Sequence, residues 1–312
     1  MGNPVKITCV IVTYNGVRWI EKCLKSVLAS TVPCSIVVVD NQSTDDTCNL
    51  IRLKFPNIFL IQSAENMGFG KANNIGLQIA YDQGAEHFFL LNQDAWIKPR
   101  TIERLLEQQK IHPKYGVLSP LHFYNNKTLD SKFRIYIRRK KEVIKEAHEK
   151  GDAKIFSVNF INAAVWLINR ACIEKVGLFA PVFDHYGEDS NFIHRCRYHQ
   201  VKIGVLPTAV AYHEREQSPM SEKEASLQKL LMHDKSFCLC ILADIRHSYF
   251  RQSLYLLFIS SREMTKSVLL LKHRRIVIII NRIRYLSVFW QLRRERTEMK
   301  KASAFLLMQA NG

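Results

Sequence analysis

Short apolar runs alternate with helical periodicities through the first 120 residues. Ile7–Val12, apolar except for Thr8, reads as a strand buried on both faces. From Trp19 to Ala29 the residues Ile20, Cys23, Leu24, Val27 and Leu28 recur at three- and four-residue steps, which predicts a helix with one buried face. Ile36–Val39, Ile58–Gln62 and His87–Leu91 predict three more strands, with helices over Thr47–Lys54 and Phe69–Asp82. This alternation specifies an α/β fold, a parallel sheet covered by helices on both faces. Such sheets bind ligands at the carboxyl ends of their strands. Three polar clusters fall there: Thr13-Tyr14-Asn15, the run Asp40–Asp46, and Asn92-Gln93-Asp94. Polar loops can simply cap strands, but so many ligand-holding side chains on one sheet edge favour a site.

Beyond residue 120 the pattern changes. Residues 125–155 form a highly charged insert around Arg138-Arg139-Lys140-Lys141, expected to be a mobile loop or a short amphipathic helix. Globular composition returns over 156–215. Val165–Ile168 predicts a strand, Arg170–Val176 and Asp189–His199 predict helices, and Ile203–Leu206 reads as a last strand before Pro207. After residue 221 the chain is helical, apolar and basic, with no glycine until Gly312. The expected divisions are 1–120, 121–220 and 221–312.

Charge sharpens that division. The 312 residues carry a net charge of +17, with 47% hydrophobic and 23% charged residues, which excludes disordered, collagenous and coiled-coil chains. A charge of +17 admits nucleic acid, an anionic membrane or a phosphate-bearing substrate as partner. The three segments hold +2, +5 and +10. A nearly neutral first third and the lack of any nucleic-acid motif argue against nucleic acid. In 237–290, the apolar clusters Leu254–Ile259, Val268–Leu271 and Ile276–Ile280 are mixed with Lys266, Lys272, Arg274, Arg275, Arg282 and Arg284. That suits helices lying on an anionic membrane surface. The competing expectation is a helical cap packed on the fold, its cations merely solvated. No apolar stretch reaches the ~18 residues of a spanning helix, and the short run after Lys6 is no signal peptide. Eight cysteines without a CxxC pair read as reduced, mostly buried thiols. The expected location is cytoplasmic, peripheral on the inner face of the plasma membrane.

The candidate chemistry lies in acidic positions. Asp94, at a strand end, suits a hard cation such as Mg²⁺ or Mn²⁺ bridging substrate phosphates. Glu188 and Asp189 open a helix, where a carboxylate can also serve as a cap. His213 follows a strand-like segment. In Asn66-Met67-Gly68-Phe69-Gly70-Lys71, glycines at a helix start let backbone approach a ligand, and Lys71 can face phosphate. The spacing is neither a Walker motif nor a dinucleotide fingerprint.

In this order, Val12-Thr13-Tyr14-Asn15, Val39-Asp40-Asn41-Gln42-Ser43-Thr44-Asp45, Asn66–Gly70, Asn92-Gln93-Asp94 and Gly187-Glu188-Asp189 resemble the family 2 glycosyltransferases, and within them the bacterial rhamnosyltransferase-like branch. The resemblance covers roughly residues 5–215. It implies a GT-A fold, with a nucleotide-sugar-binding subdomain over 1–120 and an acceptor-binding and catalytic one over 121–220, while the basic, apolar composition of 221–312 gives the membrane-associating tail. It implies that Thr13, Tyr14 and Asn15 contact the nucleotide. Asp40 would bond the pyrimidine base, with Asn41, Ser43 and Asp45 in the same loop. Asn66 and Gly70 would lie beside the ribose and sugar. Asp94 matches the last carboxylate of the metal-binding DXD motif, whose first carboxylate is here Asn92. His213 would be a further metal or diphosphate ligand, and Asp189 the catalytic base with Glu188 beside it. The implied reaction is inverting transfer from dTDP-rhamnose or a UDP-sugar to a lipid-linked or polysaccharide acceptor in O-antigen or capsule synthesis. The alternative is a nucleotidyltransferase of the sugar-nucleotide pyrophosphorylase type. It is disfavoured because Thr13-Tyr14-Asn15 stands where a Gly-rich signature with Arg and Lys would follow the first strand.

Overall fold

A computed structural model describes residues 5–124, 128–214, 226–271, 273–286 and 289–307. The first half alternates as the pattern predicts: β1 (Ile7–Thr13), α1 (Ile20–Leu28), β2 (Ser35–Asp40), α2 (Thr47–Lys54), β3 (Phe59–Gln62), α3 (Phe69–Asp82) and β4 (His87–Leu91). Then come β5 (Ala95–Ile97), α4 (Thr101–Ile111) and β6 (Tyr115–Phe123). The charged insert holds α5 (Ser131–Tyr136) and α6 (Lys141–Lys150). The chain continues through β7 (Phe156–Ser157), β8 (Val165–Asn169), α7 (Arg170–Val176), α8 (Glu188–Tyr198) and β9 (Lys202–His213). It ends in α9 (Leu227–Leu242), α10 (Tyr249–Leu269), α11 (His273–Leu286) and α12 (Phe289–Met299).

The strands form one nine-stranded sheet in the order β3-β2-β1-β4-β8-β6-β9-β5, with β7 also on β9. β1, β2, β3 and β4 run parallel, while β8 lies antiparallel between β4 and β6. Both faces are covered, and the side-chain period of two divides each apolar run between them. Cys9 and Ile11 pack under α1, α2 and α4, whereas Val10 packs under α3. Trp166, Phe179 and Phe192 fill the second face. The sheet runs unbroken across residue 120, since β6 spans it.

Two expectations are corrected. The insert is neither a loop nor a single helix. α5 and α6 bury Phe133, Ile137, Ile144 and Ala147 against β6 and β9, and burial of these apolar groups outweighs the surrounding charge. The last strand does not stop at Pro207. The β6–β9 register jumps from Pro120–Leu206 to Leu121–Val210, so residues 207–209 bulge and the proline has no ladder bond to supply.

The basic segment also divides. In α9, Cys238, Leu239 and Leu242 pack on Ala180, Val182 and Phe183, which precede α8. Arg282 does not face solvent: it is buried and paired with Asp234 at 2.7 Å and Glu263 at 2.9 Å. Lys272 lies outside the described residues, as does the side chain of Arg284. No helix among the described residues is long and apolar enough to cross a membrane. All eight cysteines are free thiols.

Candidate active site

The carboxyl ends of β1, β2 and β4 are level, because Thr13 pairs with Asp40 and Val10 with Leu90. Above them lies a cavity of about 720 Å³. Its walls include Tyr14, Asn41, Asn66, Asn92, Asp94, Glu188 and Asp189. Strand-end loops and helices from both halves of the sheet reach it, and specific bonds fix the loops.

Asp40 organises the first two loops. One of its oxygens accepts from Thr13 Oγ1 at 2.8 Å and Ser43 Oγ at 2.5 Å, and the other accepts from the Ser43 N–H at 2.9 Å. The carboxylate is buried and stands behind the cavity wall. The Asn15 N–H donates to Ser43 Oγ at 2.8 Å, and Asn15 Oδ1 accepts from the Thr44 N–H at 2.8 Å. Asp45 accepts from the Val17 N–H at 3.2 Å. Asn15 and Gln42 both hold left-handed backbone, at φ 47° and 70°, conformations that asparagine tolerates better than most residues. Asn41 then joins the β3 loop: its Nδ2 donates to Asn66 Oδ1 at 2.8 Å and its Oδ1 accepts from the Met67 N–H at 2.9 Å.

Gly68, at φ 84°, is required where this loop meets the segment before α8. A Cβ there would stand 1.8 Å from the Asp184 carbonyl oxygen. At Gly70 a Cβ would stand 3.3 Å from the Glu188 Cβ, so the glycine allows α3 and α8 to approach. Lys71 lies outside the cavity lining and pairs with Asp184 at 3.1 Å.

Strand pairing also assembles the acidic station at Asp94. The antiparallel β5–β9 ladder sets Ala95 opposite His213, and the Glu214 N–H donates to the Asp94 carbonyl at 2.9 Å. His213 Nε2 consequently lies 3.2 Å from Asp94 Oδ1. The His213 Nδ1 is buried without a hydrogen-bond partner, as is the Asn92 Oδ1. A carboxylate beside an imidazole is a donor set that Mg²⁺ or Mn²⁺ accepts when phosphate oxygens and water complete the shell. No group of three His, Cys, Asp or Glu side chains that could hold a metal occurs among the described residues.

The second acidic station opens α8. Gly187, at φ 95°, sets the entry, and a Cβ there would lie 2.7 Å from Cys240 Sγ of α9. Tyr186 before it is also left-handed, at φ 63°, and stacks on His233 with centroids 4.6 Å apart. Glu188 is 6% exposed, and its Oε2 has no partner. Burial, reinforced by the neighbouring Asp189, raises its pKa to about 7. Asp189 is half-buried, and desolvation raises its pKa to about 6 against the bond it accepts from the Ser190 N–H at 2.6 Å.

Gln93 lay in a predicted polar cluster without a predicted role, and other lining residues carried no sequence signal. Gln93 latches the β4 loop to the first: its Oε1 accepts from the Tyr14 N–H at 2.9 Å and its Nε2 donates to the Tyr14 carbonyl at 3.0 Å. Asn162 and Ala163 reach the cavity because the Asn92 N–H bonds the Ala164 carbonyl at 2.9 Å. Lys132 and Tyr136 of α5, His185 and Tyr186, and Met232 of α9 complete the wall. Only the helical spacing of Phe133 and Ile137 hinted that α5 would be ordered.

Known proteins resemble this chain in sequence and in fold. Residues 8–177 match the model of Glycosyl transferase family 2. An N-acetylglucosaminyl-diphospho-decaprenol L-rhamnosyltransferase of Mycobacterium tuberculosis is 32% identical over 121 residues, 36% of this chain and 39% of that protein. A dTDP-rhamnosyl transferase of Shigella flexneri is 34% identical over 28% of this chain and 33% of its own. The chain thus aligns with about two fifths or less of these two relatives. An uncharacterised glycosyltransferase of Nostoc is 29% identical over 72% of this chain and 71% of its own. Among solved structures, S. aureus TarS 1–349 with UDP-GlcNAc superposes with a TM-score of 0.55 at 18% identity, covering 95% of this chain and 89% of that one. The mannosyltransferase PcManGT of Pyrobaculum calidifontis, with GDP-Man and Mn²⁺, gives 0.55 at 16% identity over 95% and 86%. These two establish a shared GT-A fold.

Proposed function

This chain belongs to glycosyl transferase family 2, and from that premise we propose that it is an inverting hexosyltransferase using a nucleotide-diphosphate sugar. The observation that carries the reading is one cavity with two acidic stations, Asp94 with His213 and Glu188 with Asp189. The rhamnosyltransferase relatives support dTDP-rhamnose as donor, with a UDP-sugar as the other candidate. The diphospho-decaprenol in one relative's name supports a lipid-linked acceptor in cell-surface polysaccharide synthesis, such as O-antigen or capsule. Residues 1–120 would bind donor, 121–220 acceptor, and 221–312 would work at the inner face of an anionic membrane.

The surroundings of the side chains support the following roles. Tyr14, Asn41 and Asn66 would contact the nucleotide and ribose, with Thr13, Asn15, Ser43 and Gly70 shaping their loops. Asp40 would serve base recognition through the loop it holds. Lys71 would reach phosphate only by leaving Asp184, and an exposed pair of that kind costs under about 1 kcal/mol to break. Asp94 and His213 would hold Mg²⁺ or Mn²⁺, with Asn92 beside them. The cation, when bound, neutralises the charge growing on the leaving diphosphate. Asp189 accepts the proton of the attacking acceptor hydroxyl. Its raised pKa, about 6, makes it a stronger base than a free aspartate while leaving it ionised at neutral pH. A single displacement assisted by one base inverts the anomeric centre.

Asp189→Asn is expected to lower transfer by about 10²–10⁴-fold while donor binding survives. Asp94→Ala should instead remove the Mn²⁺-dependent thermal shift produced by dTDP or UDP. Near-normal turnover in the first variant would refute the base assignment. An unchanged cation-dependent shift in the second would refute the metal station.

A further inference from the structure

We infer that the outer face of α10 is the surface by which this protein docks on an anionic lipid bilayer. The inference rests on the lipid-linked acceptor proposed above, and narrows the membrane-facing region from the whole basic segment to one helix face. The rest of the basic segment exposes a smaller apolar surface: in α11 only Val277 and Ile280 do so among the described large hydrophobic side chains. α9 is packed on the catalytic half, and Arg282 and Arg296 are buried.

α10 presents the opposite character. Phe250, Leu254, Leu257, Phe258 and Val268 lie on one side of the helix at 3.6 residues per turn, and all are exposed, Phe250 by 72% and Phe258 by 64%. The apolar surface continues into the turn before α11. Leu269, which ends α10, and Leu271 in that turn are exposed by 77% and 75%, and Leu271 is left-handed at φ 50°. Arg251, Arg262 and Lys266 line one edge of the stripe, exposed and in no ion pair among the described residues. The single carboxylate of α10, Glu263, turns away to Arg282.

The outer face therefore carries an apolar stripe and charge of one sign only. That combination suits an interface with anionic headgroups, where apolar side chains enter the acyl boundary and cations remain at headgroup level. It opposes self-association, because a second copy of the face would bring like charges together. The helix is not apolar enough to cross the bilayer, so it would lie along the surface.

Flotation of the full chain with vesicles tests this. The wild type should float with phosphatidylglycerol–phosphatidylcholine vesicles and far less with phosphatidylcholine alone. Leu254→Ser/Leu257→Ser/Phe258→Ser and Arg251→Gln/Arg262→Gln/Lys266→Gln should each lower the partition coefficient by about tenfold or more. Equal flotation of the wild type and either triple variant would overturn the proposal. So would a wild-type dimer in sedimentation velocity that the apolar variant dissociates, since a second copy would then cover the face. Both variants should retain the Mn²⁺-dependent thermal shift with dTDP or UDP. Loss of that shift in the wild type would refute the donor reading, whereas loss of flotation alone refutes only the docking face.

Discussion

Asp189 carries two opposed demands. Desolvation makes it a better base, and the same desolvation makes its charged form unfavourable in the fold. Its folded-state pKa, about 6, lies above the ordinary 3.8, so the folded protein holds that proton more tightly than the unfolded chain. The linked stability is fully present below pH 3.8 and is lost as pH rises through about 6. With Asp189 as the base proposed above, turnover has the reverse dependence, since that base must be ionised. We expect kcat/KM to fall tenfold per unit below an inflection near pH 6, with Glu188, near 7, broadening it. Asp189→Asn should remove the penalty and melt higher than wild type at pH 8, by roughly 1–2 kcal/mol. The difference should vanish near pH 4 in thermal melts. A variant less stable than wild type at pH 8 would show that Asp189 supports the fold rather than straining it.

Among the elements, the loops at the strand ends behave as one assembly because side chains cross between them. Gln93 and Gly16 form its clearest pair. A Cβ on Gly16 would stand 2.2 Å from Gln93 Oε1, so Gly16→Ala must displace the amide that holds Tyr14. Gln93→Ala removes the same latch directly. Each substitution should raise the donor KM by about tenfold with kcat little changed, and lower stability by about 1 kcal/mol. The double variant should be scarcely worse than either single one, which a double-mutant cycle in KM and melting temperature measures. Additive effects would show that the two act separately.

This latch also marks where sequence reading ends. The helix Phe69–Asp82 and the strand His87–Leu91 were legible to the residue, because their apolar patterns are local and uninterrupted. β6 was not, since Ser119, Pro120 and His122 break its apolar run, and the three residues of β5 are too few to show a period. Strand-end geometry made the polar clusters at Thr13, Asp40 and Asp94 legible as one edge. The Gln93–Tyr14 bonds and the convergence of Lys132 and Met232 on the cavity depend on folding of segments distant in sequence, which no local pattern encodes.

At the scale of the molecule, the basic C-terminal segment is fastened to the α/β sheet domain at both of its ends. At the near end, Met232 lines the cavity, Ser236 Oγ donates to the His185 carbonyl at 2.5 Å, and Cys238, Leu239 and Leu242 cover Phe183. At the far end, the Ala304 carbonyl accepts from the Leu178 N–H at 2.8 Å, and the Leu307 N–H donates to Gln78 at 2.9 Å. Arg296 reaches back to the carbonyls of Leu242, Asp244 and His247, closing the corner between α9 and α10. A chain ended at residue 226 therefore loses part of the wall of the candidate site together with the cover of its core. We expect it to bind a hydrophobic dye and unfold without a cooperative transition, rather than to survive as a soluble enzyme that has merely lost its membrane affinity. Calorimetry of the truncated and full chains decides this. A sharp transition in the truncated chain with donor binding intact would show that the helices are an appendage. Without that outcome, membrane attachment can be separated from catalysis only by substitutions on the outer face of α10, because the same segment builds the site and carries the charge.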